Sequence, residues 1–222
     1  MIGLVIFDCD GVLIDSELLS ARVWTEELAG FGVTFDLDTF ERHFLGRSFP
    51  KVVAALREHL GVDLPPDFEA RFRARLIDLF AAELAPTPGV REMLDAIQVP
   101  YCVATSSTPS RADRSLRIAG LRERVGSRLF TASEVARGKP APDLFLHAAR
   151  GCGVDPAACL VIEDSAPGLA AGAAAGMRTL HFTGGSHMRG RASPEQGTLG
   201  SIGDWGALRD LLPQLFAVEG AA

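Results

Sequence analysis

The stretch VIFDCDGVLIDSE, residues 5–17, constrains the fold more than any other part of the chain. Val5, Ile6 and Phe7 form an apolar run suited to a strand covered on both faces, and Gly11 breaks the chain just beyond it. Asp8 and Asp10 then stand at the strand's carboxyl end, where period-two alternation turns both side chains the same way. Two like charges held that close repel unless a cation or a shared proton offsets them. Such a strand calls for a sheet sandwiched between helices, and its acids call for a partner.

The remaining chain supplies the other layers. Leu18, Leu19, Val23, Trp24 and Leu28 recur at helical spacing up to Gly30, and three further helical patterns follow, around Phe40 to Leu45, Val52 to Leu60 and PDFEARFRARLIDLFAAEL. Residues 16–84 therefore read as all helix. From APTPGV onward, short apolar runs at 101–105, 159–163 and 178–182 alternate with helical segments, the pattern of a doubly wound parallel sheet. The expected organisation is an α/β core over 1–15 and 85–222, with a helical cap domain over 16–84 inserted after the first strand. The Ala/Gly-rich segment near residue 170 suits a helix lying close on a sheet. TGGSHMRGRASPEQG, from Thr183, reads as a surface loop, and GDWGALRDLLPQLF as a closing helix.

Composition narrows the function. With 47% hydrophobic residues among 222, the chain can bury one sizeable core, or a core with a smaller accessory domain. A formal charge of −6 argues against a nucleic-acid surface. The four cysteines form no CxxC pair and read as reduced thiols, Cys9 as buried packing. No basic leader and no membrane-length apolar run is seen, so a cytoplasmic monomer without membrane or nucleic-acid partners is expected.

In an open parallel sheet, ligands bind beyond the carboxyl ends of the strands. That rule gathers Asp8 and Asp10, the hydroxyls Thr105, Ser106 and Ser107, the loop carrying Lys139, and Glu163 with Asp164. Mg2+ takes hard oxygen ligands and keeps waters, so Asp8, Asp164 and a backbone carbonyl suit it. Lys139, one of two lysines against twenty arginines, is a compact charge able to meet a phosphoryl oxygen and a carboxylate together. Thr105 offers a hydroxyl to the same group, and Gly11 lets the chain turn away beside it. A carboxylate such as Asp8 can then attack phosphorus, with Asp10 placed for proton transfer. Each piece alone also has a bland reading: DxD pairs occur in loops, Thr105 and Asp164 suit helix caps, and Lys139 suits a solvated loop. Asp15 and Glu17 read as loop and helix start, and the five histidines show no metal-ligand spacing.

Taken in this order, DCDGVLIDSE, ATSS, GKPAPDLF and IEDS resemble the four motifs of the haloacid dehalogenase superfamily, phosphatase branch. The likeness is to its beta-phosphoglucomutase-like and phosphoglycolate-phosphatase-like members, with bacterial phosphatases of 6-phosphogluconate nearest. The resemblance implies an aspartyl-phosphate mechanism with Asp8 as nucleophile and metal ligand, and Asp10 as acid/base that lends its carbonyl to Mg2+. Gly11, Thr105, Ser106 and Lys139 would bind the phosphoryl group, Asp164 would complete the metal site, and Glu163 would stand beside it. Family mutases carry a histidine four residues before the tryptophan matching Trp24; Ser20 stands there, which favours hydrolysis. Substrate choice falls to the cap, where Ser20, Arg47, Ser48 and Lys51 are candidates to read a sugar phosphate or sugar-acid phosphate. For Arg47, Ser48 and Lys51 the competing reading is a helix cap by Ser48 with two solvated basic residues. The alternatives are a beta-phosphoglucomutase-like mutase and a non-catalytic phosphometabolite-binding protein.

Overall fold

The computed structural model describes residues 1–189 and 197–216. Among them six strands form one parallel sheet: β1 (Leu4–Phe7), β2 (Tyr101–Thr105), β3 (Leu129–Thr131), β4 (Cys159–Glu163), β5 (Arg178–Phe182) and β6 (Ser201–Ile202). Their spatial order is β3-β2-β1-β4-β5-β6, so the chain builds outward from β1 in one direction and then returns to build in the other. The reversal places a crevice at the carboxyl ends of β1 and β4, the two strands that end next to Asp8 and Asp164. The expected strands form where the apolar runs lie. β3 and β6 were not expected, because three and two residues are too few to show a period.

Alternation divides the sheet residues between two apolar layers. Val5, Phe7, Val103, Leu160 and Ile162 face one layer, completed by α5 (Val90–Ala96), α6 (Pro109–Ile118) and α10 (Trp205–Leu211). Leu4, Ile6, Cys102, Ala104 and Val161 face the other, completed by α8 (Asp143–Gly151) and α9 (Ala166–Ala174). The short α7 (Arg122–Val125) precedes β3, with Val125 buried in the first of these layers. Small residues bring α9 close to the sheet: a Cβ on Gly172 would lie 2.6 Å from Thr179. The closing segment is helical only over Trp205–Leu211, then becomes a 3-10 turn at Pro213, whose ring cannot extend the helix.

Between β1 and α5 the chain forms a separate helical layer: α1 (Glu17–Ala29), α2 (Leu37–His43), α3 (Phe49–Leu60) and α4 (Phe68–Glu83). It has its own apolar cluster centred on Trp24, whose ring centroid lies 4.1 Å from Phe72, 5.3 Å from Phe44 and 5.5 Å from Phe49. The chain leaves and re-enters the sheet layer side by side. Asp15 N donates to Ala85 O and Thr87 N to Leu13 O, with Ile14 bridged to Pro86. Among the described residues, no helix is long and apolar enough to cross a membrane.

The segment from Thr183 departs from the expected surface loop. Ser186–Met188 is a 3-10 turn whose His187 and Met188 are buried, held by Asp15, which accepts from both Ser186 N (2.9 Å) and Ser186 Oγ (2.8 Å). The part of that expectation covering 190–196 lies outside the described residues.

If Trp24 is the keystone of the helical layer, Trp24→Ala removes a large buried ring and leaves a cavity. The expected loss is about 3–5 kcal/mol of stability, read as a lowered urea midpoint. A loss under about 1 kcal/mol, the scale of an ordinary surface change, would show that the layer does not depend on it.

Candidate active site

The site begins with a lysine. Lys139, on the loop between β3 and α8, is only 1% exposed. Its Nζ donates to Asp8 Oδ1 (2.5 Å), Glu163 Oε1 (2.7 Å) and Ala104 O (3.2 Å), so one ammonium ties together β1, β2 and β4. Burial alone would lower its pKa, but the two carboxylates outweigh burial and raise it, so the ammonium stays charged. Glu163 is held as an anion. Burial pushes it up, and Lys139 with the Ser165 N–H (2.8 Å) and Oγ (2.9 Å) on Oε2 more than reverses that.

Asp8, Glu163 and Asp164 are all buried, and their ligand oxygens lie within 4.8 Å of one another, a cluster positioned to chelate a divalent cation. Burial pushes the Asp8 carboxyl well up; Lys139 opposes this, while Glu163, Asp164 and Asp10 add to it. Burial and Glu163 push Asp164 up as well. One ammonium is therefore insufficient to keep three buried acids ionised, and a hard dication among oxygen donors fits the remaining deficit. Gly11 sits against this cluster at φ +80°, where a Cβ would come within 1.9 Å of Asp164 Oδ2. No larger residue fits without moving that carboxylate.

Asp10 lies beyond β1, which ends at Phe7, and faces the same cleft as Asp8 with a separate set of hydrogen-bond partners. It accepts from Ser16 Oγ (2.8 Å) and Arg111 Nη2 (2.9 Å) on Oδ1, and from Ser107 Oγ (2.8 Å) and Thr105 Oγ1 (3.4 Å) on Oδ2. Asp8, Asp10 and Thr105 line a cleft whose opposite wall comes from the helical layer, including Trp24, Phe49 and Leu76.

The candidates in the helical layer separate. Ser20 and Arg47 line the cleft, each with a buried polar atom, Ser20 Oγ and Arg47 Nε, that has no hydrogen-bond partner among the described residues. Lys51 turns away from the cleft: its Nζ donates to Gly138 O (2.9 Å) and Lys139 O (2.5 Å), fastening α3 to the lysine loop. Ser48 occupies the N-cap position of α3 without a side-chain capping bond, and is not part of the cleft lining. Ser106 donates to Gly46 O (3.0 Å), so its hydroxyl joins sheet layer to helical layer.

Three functional neighbours escaped the sequence reading. Arg111 on α6 pairs with Asp10 and lies over the Phe80 ring of α4, yet nothing separates it from the other nineteen arginines in the sequence. His187 approaches Asp164 Oδ2 to 3.0 Å from what reads as a Gly/Ser loop. Glu17 looks like an ordinary acidic residue in a helix's first turn, but it is buried at the cleft. Burial first, then Asp10 and Asp164, push its pKa up to about 8, with His187 and Arg111 opposing.

Residues 2–176 match the haloacid dehalogenase-like hydrolase family. Over 217 residues the chain is 29% identical to the 6-phosphogluconate phosphatase of Escherichia coli (strain K12), spanning 97% of this chain and 95% of that protein. It is 31% identical over 179 residues to a fructose-1-phosphate phosphatase of the same organism, spanning 78% of this chain and 92% of the other. Among solved structures, a HAD family hydrolase from Deinococcus radiodurans R1 with bound phosphate and sodium superposes with a TM-score of 0.73 at 33% identity, covering 96% of each chain.

Glu17 carries a pH signature. With its pKa near 8 in the folded chain and the ordinary 4.5 when unfolded, the folded state holds the extra proton between those values. Stability therefore falls as pH rises through that window, and the whole penalty is present above it. Glu17→Gln removes the penalty. In metal-free buffer its stability advantage over wild type should grow from about pH 5 to about pH 8, by at most about 1.4 kcal/mol per pH unit. Parallel urea titrations check this, and a constant difference across the range would refute it.

Proposed function

We propose, from the premise that this chain belongs to the haloacid dehalogenase-like hydrolases, that it is a magnesium-dependent phosphatase of small phosphorylated metabolites. The observation that carries this reading is Lys139 buried between Asp8 and Glu163 beside Asp164, at the reversal point of the sheet. Asp8, Asp164 and the backbone carbonyl of Asp10 would hold the ion. Glu163 gives one oxygen to Lys139 and the other to Ser165, and serves as the lysine's counter-ion. When bound, magnesium neutralises charge on the phosphoryl oxygens and on the acids around them.

Asp8 is the nucleophile. Its free carboxylate oxygen attacks phosphorus, the ester P–O bond breaks, and an aspartyl phosphate forms. Lys139 holds a phosphoryl oxygen while anchoring Asp8, with Thr105 and the backbone turn at Gly11 and Ser106 supplying further donors. Asp10, held by Ser16, Ser107 and Arg111, has to enter this step protonated, and it gives that proton to the departing alkoxide as the ester bond breaks. It then takes one from the water that hydrolyses the acyl phosphate, which returns Asp8 and releases phosphate.

The helical layer, residues 16–84, acts as the cap domain that closes the cleft and excludes bulk water. Ser20 and Arg47 present polar atoms there that are unpartnered among the described residues, and read the substrate's hydroxyls or carboxylate. A sugar phosphate or sugar-acid phosphate fits these donors, and the named activities of the 6-phosphogluconate and fructose-1-phosphate phosphatases support that class. Hydrolysis is favoured over mutase chemistry because Ser20 replaces the histidine expected of a mutase.

A panel of phosphomonoesters should show phosphate release that depends on Mg2+ and is abolished by chelation. Asp8→Asn should lower kcat by at least about a thousandfold. With beta-glucose 1-phosphate and a bisphosphate primer, free phosphate should outpace isomer. Release that persists through chelation and in Asp8→Asn would sink the mechanism, and faster isomer formation would establish the mutase.

A further inference from the structure

The two lysines of the chain meet. Lys139 commits its ammonium to Asp8, Glu163 and Ala104 O, while its backbone carbonyl accepts from Lys51 in the first turn of α3 (2.5 Å). The Lys51 Nζ also donates to Gly138 O (2.9 Å). Among the described residues it pairs with no carboxylate, and burial, then Arg47, hold its amine below the ordinary lysine value. An ammonium drawn partly out of water needs compensation, and here two carbonyl oxygens supply it. Gly138 O already accepts from Ala141 N (3.2 Å), which closes the turn by itself. The Lys51 bonds are therefore additional, and both cross from the helical layer to the sheet layer. They exist only while α3 is seated on the lysine loop, because such a bond is lost once donor and acceptor part by more than about 3.5 Å.

We propose that Lys51 is a positioning residue: seated on the carbonyls of Gly138 and Lys139, it sets the loop from which the Lys139 ammonium meets the phosphoryl group, and it does not read the substrate. This rests on the reading of Lys139 as the phosphoryl-binding lysine and of residues 16–84 as the cap. Lys51 is absent from the lining of the cleft, which Ser20 and Arg47 share. Its influence runs through the backbone of residue 139 to the one ammonium that also anchors Asp8. A misplacement of about 1 Å among groups that hold reacting atoms can cost about a hundredfold in rate, so the seating of α3 has a direct route to turnover.

The test compares Lys51→Met, which keeps the stem and drops the ammonium, with Lys51→Arg, whose forked N–H groups can span two carbonyls. With Mg2+ and the best-cleaved esters of the phosphomonoester panel, one carrying a carboxylate and one not, Lys51→Met should lower kcat by about tenfold or more. The factor should agree within about twofold between the two esters, because Lys51 touches neither. Lys51→Arg should stay within about threefold of wild type. A second measurement needs no turnover: each variant leaves Lys139 as the only lysine, so its acetylation by acetic anhydride can be followed by peptide mass spectrometry. Lys139 should react at least about fivefold faster in Lys51→Met than in wild type or Lys51→Arg, as its loop opens more often. Wild-type kcat in Lys51→Met, even with a lowered melting temperature, would mark a merely structural tie and overturn the proposal. So would a loss confined to the carboxylate-bearing ester, or unchanged acetylation of Lys139. If wild type releases no phosphate from any ester, the phosphatase reading falls, and the acetylation rates still decide whether Lys51 sets the lysine loop.

Discussion

The fold converges on one buried ammonium. Lys139 reaches from the loop after β3 to carboxylates at the ends of β1 and β4 and to a carbonyl on β2, so the three central strands share one cation at their carboxyl edge. Taking three charges out of water is costly, and only their close mutual pairing offsets the cost. Removal of the lysine would leave Asp8 and Glu163 facing each other with no countercharge. The same pairing leaves an imbalance, since Asp164 adds a further acid that Lys139 does not contact. That surplus of buried carboxylates is positioned to chelate a divalent cation.

The helical layer is joined to this centre by a different kind of interaction. Its apolar cluster is closed around Trp24. Much of its contact with the sheet layer near the site is polar: Lys51 on the carbonyls of Gly138 and Lys139, Ser106 on Gly46, Arg73 on Thr108. Polar links of this kind can exchange for water at small net cost, whereas a shared apolar core could not open without exposing its surface. A lid that seats directly on the lysine loop also carries its position to the reaction centre. Arg111 adds to that connection, touching Asp10 on one side and the Phe80 ring of α4 on the other.

Much of this was legible before any coordinates. Val5 to Phe7 and the runs at 101–105, 159–163 and 178–182 announced their strands because each is short, carries apolar residues and alternates with helical segments. Asp8, Lys139 and Asp164 were found because the strand-end rule gathers residues by their place in the topology. That the Lys51 ammonium meets the carbonyls of Gly138 and Lys139, and the Ser106 hydroxyl that of Gly46, was not legible, since a side chain's partner depends on which loop happens to stand opposite. His187 was invisible for the converse reason. A Gly/Ser-rich segment reads as surface, while here the glycines make room for a buried ring.

By itself, then, the sequence determined the order of the four longer strands and of most helices around them, the helical insertion, and the kinds of chemical group delivered to the carboxyl edge of the sheet. These follow from local periodicity and turn chemistry, which act over a few residues. Only the tertiary structure decided which groups touch. It paired Lys139 with Asp8 across 131 residues and with Glu163 across 24, buried Glu17 deeply enough to raise its pKa, and brought His187 within 3.0 Å of Asp164. Hydrogen bonds and desolvation are set within a few ångströms, and separation along the chain carries no information at that scale.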